Sequence, residues 1–218
     1  MGEAKRLKGA SEMRVELISW PWMDEEALCG TAAAMCTGSK DPGRSLKKAM
    51  ECGHESVLEH AAFTYKVEGV SRALLAQITR HRLASFSVMS QRYIDMGNMP
   101  VVAPESIVNN PDLMDEYCDL MEDIKGFYRR AVEAGIPKED ARYVTPQAAV
   151  TGFVVTMNAR ELRHFFRLRC CERAQWEIRA LAWEMLRLAM AAAPGIFADA
   201  GPGCEGCREE KCPKRGRG

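Results

Sequence analysis

The sequence predicts a single α+β domain in which a small, mostly antiparallel sheet is flanked by long helices. Apolar residues recur at helical spacing in several separate stretches. Short runs rich in β-branched and aromatic residues lie between these stretches, as is typical of strands. No internal repeat or low-complexity linker divides the 218 residues, and a chain of this length buries a sizeable core. One domain is therefore the simplest interpretation.

The first part of the chain predicts short strands that alternate with helices. Strands are expected at residues 15–19 and 62–70, and a first helix at residues 25–35 that ends near Gly38. Asp41-Pro42-Gly43 predicts a turn, and a second helix is expected from Ser45 to about Cys52.

A third helix is predicted just before a strongly basic segment. Its apolar positions place Gln77, Arg80 and His81 in the last helical turns, and residues 90–93 then form a loop. The apolar positions are Ala73, Leu74, Leu75, Ile78 and Leu83.

The second part of the chain predicts a loop, a long helix, a strand and a last helix. Residues 97–111 form the loop, with room for one short strand at residues 101–102, and the helix at 112–134 ends at Gly135. A helical turn follows Pro137, a strand is expected at 150–157, and Asn158 caps a last helix that runs to Pro194. The buried side of the long helix is expected to carry Leu113, Tyr117, Leu120, Ile124, Phe127 and Tyr128.

Arginine interrupts the apolar stripe of the last helix. Steps of three and four from Leu162 place Arg169 and Arg173 where the pattern calls for core residues. A buried arginine needs an anionic partner. That partner is either an internal carboxylate, such as Glu172, Glu177 or Glu55, or a bound ligand.

Residues 80–93 concentrate three arginines, one histidine and three serines. Guanidinium groups stay charged and bind phosphate through several donors, and serines add further donors, so a nucleotide or a phosphorylated cofactor is the expected guest. The alternative is a solvated basic helix end that complements the helix dipole.

The same segment resembles the motif of the flavin-dependent thymidylate synthases, in which Arg-His-Arg is followed by seven residues and a serine. Arg80, His81, Arg82 and Ser90 are in register with it. Residues 53–60 resemble the family's upstream His-Glu box, and residues 158–162, 168–169 and 174–177 resemble its C-terminal helix. The resemblance covers roughly residues 13 to 197.

The resemblance implies FAD-dependent methylation of dUMP to dTMP in a homotetramer with shared active sites. Methylenetetrahydrofolate is the one-carbon donor, NADPH is the reductant, and no protein nucleophile is used. The arginine at the position of Arg169 contacts uracil and helps to ionise N3, as its charge favours the anion. The dUMP residues carried over are Gln77, Ile78, Thr79, Arg80, Val88, Met89, Ser90, Gln91, Arg92, Arg142 and Arg169. The FAD residues carried over are His54, Ser56, Arg80, His81, Arg82, Val88, Asn158, Ala159, Arg160 and His164.

Two departures from the family pattern bear on these residues. Val88 and Met89 replace polar residues, commonly including Glu, so Val88 is expected to keep only a backbone contact. His164 stands where some relatives carry Asn.

Composition excludes a general attraction to nucleic acids or anionic membranes. Thirty basic and 30 acidic residues cancel, so no net field would hold the chain on either partner. Neither a transmembrane stretch nor an N-terminal signal peptide is evident, and nine cysteines without a secretory signal favour a reducing, cytoplasmic location. We expect a flexible arm at residues 1–12, the synthase domain at 13–197 and a Cys-rich flexible tail at 198–218.

The tail carries Cys204, Cys207 and Cys212. A closed zinc site needs four ligands, so no metal is expected, although a further ligand from elsewhere would complete one. A zinc-containing nucleic-acid-binding module is thus one alternative function, and a different flavoprotein with the same nucleotide pocket is another. The zero net charge counts against the module.

Overall fold

A computed structural model describes residues 11–18, 24–204, 207 and 212. These residues fall into two compact units. Unit 1 comprises residues up to Arg14, Glu68–Ala76 and Ser87–Phe153. Unit 2 comprises Val15–Val67, Gln77–Phe86 and the residues from Val154 onward.

A four-stranded antiparallel sheet confirms the predicted α+β class. Its strands are β1 (Arg14–Leu17), β2 (Ala62–Ser71), β3 (Ala84–Val88) and β4 (Val150–Asn158), in the order β1-β2-β4-β3. Strands β2, β3 and β4 each contribute residues to both units. Strand β3 was not predicted, since its short serine-rich sequence lacks the long β-branched run of β2 and β4.

The helices largely follow the predicted order. They are α1 (Glu25–Thr37), α2 (Pro42–Glu51), α3 (Arg72–Ile78), α4 (Glu105–Val108), α5 (Pro111–Glu133), α6 (Lys138–Ala141), α7 (Ala159–Arg169), α8 (Trp176–Ala192) and α9 (Pro194–Phe197). Two 3-10 helices, Glu55–His60 and Arg142–Val144, lie between them. The short helix α4 lies within the segment predicted as a loop, where Val101 also forms a β-bridge to Ala149.

Local capping explains where helix α1 ends and helix α2 begins. Gly38 ends α1 with a φ of 67°, as predicted, because glycine adopts this left-handed conformation without strain. The predicted turn at Asp41-Pro42-Gly43 is wrong, since α2 already begins at Pro42. Oδ1 of Asp41 accepts the N–H of Arg44 at 3.0 Å, and proline is favoured in a first helical turn.

Helix α3 ends earlier than its apolar pattern predicts. It stops at Ile78, so Arg80 and His81 lie beyond the helix rather than in its last turns. The N–H of His81 bonds the carbonyl of Ile78 at 3.0 Å, a tight turn that redirects the chain towards β3. The loop predicted at residues 90–93 is confirmed, because Tyr93 N–H bonds the carbonyl of Ser90.

Helix α5 buries only part of the face that the sequence predicted. It ends before Gly135, which has a φ of 88° as expected of a helix terminator. Of the residues predicted to be buried, Leu113, Leu120 and Phe127 are 50%, 54% and 50% exposed. The buried positions are Cys118, Met121, Lys125 and Tyr128. Tyr128 is buried and Ile124 packs against the core of unit 1, as predicted, and this core also contains Met96, Met99, Ala141 and Ala149.

The predicted last helix is two helices. Helix α7 ends at Arg169, and α8 begins at Trp176 because Oε1 of Gln175 accepts the N–H groups of Glu177 and Ile178 at 3.0 and 3.1 Å. The break interrupts the proposed apolar stripe. Arg173 is therefore exposed rather than buried, and Arg169 is only partly buried.

An aromatic cluster forms the centre of unit 2. The rings of Phe63 and Phe197 meet edge to face with centroids 5.2 Å apart, and Phe166 contacts both Phe165 and Phe197 at 5.7 and 5.9 Å. Phe165 and Phe166 belong to α7, so this packing anchors the helix from which the arginines project.

Candidate active site

Helix α7 positions much of the predicted site in unit 2. Oδ1 of Asn158 accepts the N–H of Glu161 at 2.9 Å, which confirms the predicted cap. One side of the helix is fixed in the core by Leu162, Phe165 and Phe166. Its ends therefore hold their side chains on a rigid support.

Glu161, His81 and Arg169 form a hydrogen-bonded triad. Nδ1 of His81 lies 2.8 Å from Oε1 of Glu161, and Arg169 donates its Nε–H to Nε2 of His81 at 3.1 Å. Arg169 Nη2 also donates to the carbonyl of Gln77 at 3.4 Å. His81 and Glu161 are 5% and 7% exposed, so the triad is largely shielded from water. A buried carboxylate is thus linked to Arg169 through His81. It belongs to Glu161 and not to Glu172, Glu177 or Glu55, the positions that the sequence suggested.

The electrostatics keep His81 neutral at neutral pH. Burial lowers the pKa of His81, the hydrogen bond to Glu161 opposes this, and the positive charge of Arg169 lowers the pKa further. Burial and the neighbouring Arg80 likewise lower the pKa of Arg169, although a guanidinium remains charged at physiological pH. The triad therefore contains one negative and one positive end joined by a neutral imidazole.

A small cavity adjoins the triad. It has a volume of about 270 Å³ and is lined by Arg80, Arg82, His164, Leu168 and the three triad residues, among others. The rings of His164 and His81 lie 5.9 Å apart. This cavity is strongly cationic, so it suits an anionic or electron-rich ligand.

A larger cavity of about 1010 Å³ extends along α7. Arg160, His164 and Arg167 line one wall, and residues 199–204 line another. Arg163 also borders it but is engaged internally, because it donates to Asp199 at 2.7 Å and to the carbonyl of Ile196 at 2.6 Å. Arg160 pairs with Glu59 on the surface, where a ligand could compete for it.

The remaining FAD residues carried over from the family differ in accessibility. His54, Ser56, Arg80 and Arg82 are exposed. Ala159 is fully buried, as is Ile78 among the dUMP residues, so neither side chain can reach a ligand from its position in the core.

A second group of predicted residues lies in unit 1. Gln91 is 6% exposed, and its Nε2 has no hydrogen-bond partner among the described residues. Its Oε1 lies 3.5 Å from Oγ1 of Thr145. Nε of Arg92 pairs with the carboxylate of Glu139 at 2.8 Å, and Nε of Arg142 donates to the backbone carbonyl of Glu139 at 3.0 Å.

Buried donors are almost always satisfied, so Nε2 of Gln91 is available to an acceptor atom of a ligand or of an ordered water. Beside Gln91, Ser90 is partly buried, and its Oγ accepts the N–H of Arg92 at 3.3 Å. Val88 and Met89 are 38% and 37% exposed, on the way into this turn.

Two residues of these clusters, Glu161 and Thr145, were not predicted from the sequence. Glu161 precedes Arg169 by eight residues on one helix, which places the two positions roughly 80° apart around the helix axis, so the spacing gave no strong signal. Thr145 had none, because it approaches Gln91 from a distant part of the chain.

Cys170, directly after α7, does not supply an activated nucleophile. Cys170 is 2% exposed, and burial raises the pKa of its thiol to about 12, so the thiolate is disfavoured at neutral pH. Among the described residues, no three His, Cys, Asp or Glu side chains are grouped closely enough to hold a metal ion.

The family model for the thymidylate synthase complementing protein matches residues 16–195 of this chain. The chain belongs to this family of flavin-dependent thymidylate synthases. The flavin-dependent thymidylate synthase of Geobacter sulfurreducens is 50% identical over 195 residues, which cover 83% of this chain and 84% of that protein. Its counterpart in Thermococcus onnurineus is 43% identical over 190 residues, which cover 83% and 76% of the two chains.

A solved structure shares the fold of this flavin-dependent thymidylate synthase family member. The UMP/dUMP methylase PolB from Streptomyces cacaoi, bound with 5-Br dUMP, superposes with a TM-score of 0.76 over 86% of this chain and 94% of that chain. Its sequence identity is 23%. Family membership identifies the chain as an enzyme rather than a nucleic-acid-binding module. In the described part of the chain, no helix has the length and apolar character needed to cross a membrane.

Proposed function

We propose that this enzyme methylates dUMP to dTMP with FAD as cofactor, methylenetetrahydrofolate as one-carbon donor and NADPH as reductant. The observation that carries the proposal is Arg169, held by a buried histidine beside a cationic cavity. Its relatives are named for the same activity.

Arg169 is the residue proposed to activate the uracil ring. A fixed guanidinium beside the imide stabilises the N3 anion. This anion makes the neighbouring C4 carbonyl a weaker electron acceptor, so C5 becomes more nucleophilic. Because His81 and Gln77 already hold two of its nitrogens, Arg169 needs little reorganisation when the base binds. The high pKa of Cys170 favours this route over attack by a protein thiolate.

Residues of unit 1 are also proposed to bind dUMP. Nε2 of Gln91 offers a buried donor to a carbonyl or phosphate oxygen. Arg92 and Arg142 supply charge for the phosphate, and the contacts of both with Glu139 restrict their side chains.

The larger cavity is proposed to hold part of the flavin dinucleotide. Its volume of about 1010 Å³ is generous for an extended ligand, and Arg160 and Arg167 provide cations for a diphosphate. When bound and reduced by NADPH, the flavin would supply the hydride that completes the methyl group. His164 offers a ring and a polar nitrogen at the junction with the smaller cavity, since it lines both cavities.

We further infer that the enzyme is a homotetramer with active sites shared between chains. Leu113, Leu120 and Phe127 recur every seven residues on α5 and are each at least half exposed, which leaves an apolar stripe along this 23-residue helix. Such stripes are typical of helices that pack against a partner.

The visible absorption spectrum of the purified protein with FAD tests this function. NADPH should bleach the flavin band anaerobically, and methylenetetrahydrofolate with dUMP should restore it as dTMP appears. Arg169→Ala should lower the rate of dTMP formation by about 100-fold or more, the size expected for a lost charge-stabilising donor. Arg187→Ala removes an exposed arginine paired with Glu184 and should leave the rate unchanged. Flavin binding without dTMP formation in the unaltered protein would contradict the proposal.

A further inference from the structure

We propose that Glu161 is a positioning residue for Arg169 and acts through His81. The inference rests on the proposed function, because it concerns the arginine that would activate uracil. Glu161 itself is 7% exposed and touches His81 rather than the position proposed for the base.

The donor and acceptor pattern gives the first argument. Nε of arginine always carries a hydrogen, so Nε2 of His81 must offer a lone pair to accept the bond at 3.1 Å. The proton of the neutral imidazole is then on Nδ1. Oε1 of Glu161, 2.8 Å away, accepts a hydrogen bond from this Nδ1–H group and so fixes the tautomer that Arg169 requires.

The other charged groups around His81 cannot replace Glu161 as an acceptor. Arg169 and His164 on α7 and Arg80 in the adjoining segment are cationic or titratable, and none of them can accept a hydrogen bond from an N–H while charged. Without the carboxylate, the imidazole would gain nothing by keeping its proton on Nδ1. Rotation or tautomer exchange would then turn an N–H towards Arg169 and break the contact.

A purely stabilising role for Glu161 makes different predictions. A buried ion pair that only supports the fold affects the free energy of unfolding and leaves the catalytic rate of the folded enzyme intact. A positioning role changes kcat and its pH dependence while the fold and flavin binding persist. These two outcomes can be separated by experiment.

Two substitutions of Glu161 distinguish these roles. Glu161→Gln keeps an oxygen acceptor of nearly the same shape, whereas Glu161→Met keeps the volume and removes the acceptor. The matched control is Glu177→Gln, which alters another buried glutamate, 4% exposed, on α8. All variants are assayed as full-length holoenzyme for dTMP formation and flavin affinity, and ¹⁵N NMR of the histidine ring nitrogens reports the tautomer.

We expect Glu161→Met to lower kcat by about 10-fold or more, in the range found for lost outer-shell partners, with flavin affinity changed by less than about threefold. Glu161→Gln should retain most of kcat, and the acid limb of its kcat profile should move to lower pH because a neutral amide favours the imidazolium less. Glu177→Gln should resemble the unaltered enzyme.

An unaltered kcat in Glu161→Met, or a His81 that carries its proton on Nε2 in the unaltered enzyme, would overturn the inference. If the unaltered enzyme makes no dTMP, the proposed function fails instead. The tautomer of His81 in the two Glu161 variants then still decides whether Glu161 controls the imidazole.

Discussion

Nε of Arg169 lies 3.1 Å from Nε2 of His81, so a fixed cation is oriented by a neutral imidazole rather than by a carboxylate. Direct pairing with a carboxylate would neutralise the guanidinium on the side where charge is needed. The imidazole orients Arg169 without neutralising it, and the carboxylate of Glu161 contacts His81 rather than Arg169.

Replacement of Arg169 by lysine tests whether geometry matters in addition to charge. Arg169→Lys keeps a cation but loses the planar group that meets both His81 and Gln77. We expect kcat to fall by about 10- to 100-fold, with KM for dUMP changed much less. Steady-state kinetics measures this, and full activity of the lysine variant would show that charge alone suffices.

Gln91→Leu removes the buried donor that lacks a partner. If this donor binds dUMP, KM for dUMP should rise about tenfold, the effect of losing one hydrogen bond of about 1.4 kcal/mol, while flavin affinity is unchanged. Gln147→Leu is the control, because Gln147 is an exposed glutamine of the same unit. An unchanged KM in Gln91→Leu would remove Gln91 from the substrate site.

Acid should destabilise the fold through His81. Burial places its folded-state pKa below the value of about 6.5 expected in the unfolded chain. The unfolded chain therefore binds more protons between these two values, and the stability contributed by neutral His81 is full above pH 6.5 and lost as pH falls towards the folded-state pKa. The unfolding midpoint, followed from pH 7.5 to 5, should decline less steeply in His81→Asn.

A variant that is destabilised for another reason controls this comparison. Phe166→Ala should retain the pH slope of the unaltered protein, because the substituted group does not titrate. A slope in His81→Asn equal to that of the unaltered protein would mean that His81 does not contribute to acid sensitivity.

Phe166→Ala should also be among the most destabilising single substitutions in unit 2. The ring is fully buried and contacts Phe165 and Phe197, so its removal leaves a cavity and lowers the free energy of unfolding by about 3–5 kcal/mol. Denaturant titration measures the loss. Met35→Ala, at an 81% exposed position, should change stability by less than about 0.5 kcal/mol.

Shared active sites predict complementation between inactive variants. Co-expression of Arg142→Ala with Arg169→Ala should restore part of the activity if the two arginines of one site come from different chains, since mixed tetramers then contain some intact sites. Co-expression of two variants that both lack the arginine, Arg169→Ala and Arg169→Gln, should restore none. An absence of recovery despite proven mixed tetramers would mean that both arginines of a site belong to one chain.

Local signals made parts of the fold predictable. Gly38 and Gly135 end helices and Asn158 begins one because capping depends on residues next to each other in the chain. The break between α7 and α8 was not predictable from apolar periodicity, since the side chain that starts α8 is a glutamine rather than a more common capping residue. The buried face of α5 depends on which stripe the rest of unit 1 covers, and the helix sequence does not contain that information.

The residues of the candidate site were likewise predictable only in part. Arg169 was indicated both by the apolar pattern of the last helix and by motif resemblance, and Gln91 by motif resemblance. In the structure Arg169 lines the smaller cavity, and Nε2 of Gln91 is a buried donor. The link from Glu161 through His81 joins positions 80 residues apart and required the tertiary structure.

The larger cavity is assembled from segments that are remote along the chain. Its walls combine Glu55, Leu83, the arginines of α7 and residues 199–204, and Arg163 joins Glu55 to Asp199. Contacts of such high sequence separation slow folding, because long loops must close before the contacts form. Ligand binding by this cavity requires the complete tertiary structure of unit 2, so a fluorescent ligand added during refolding would time its completion separately from the formation of helices.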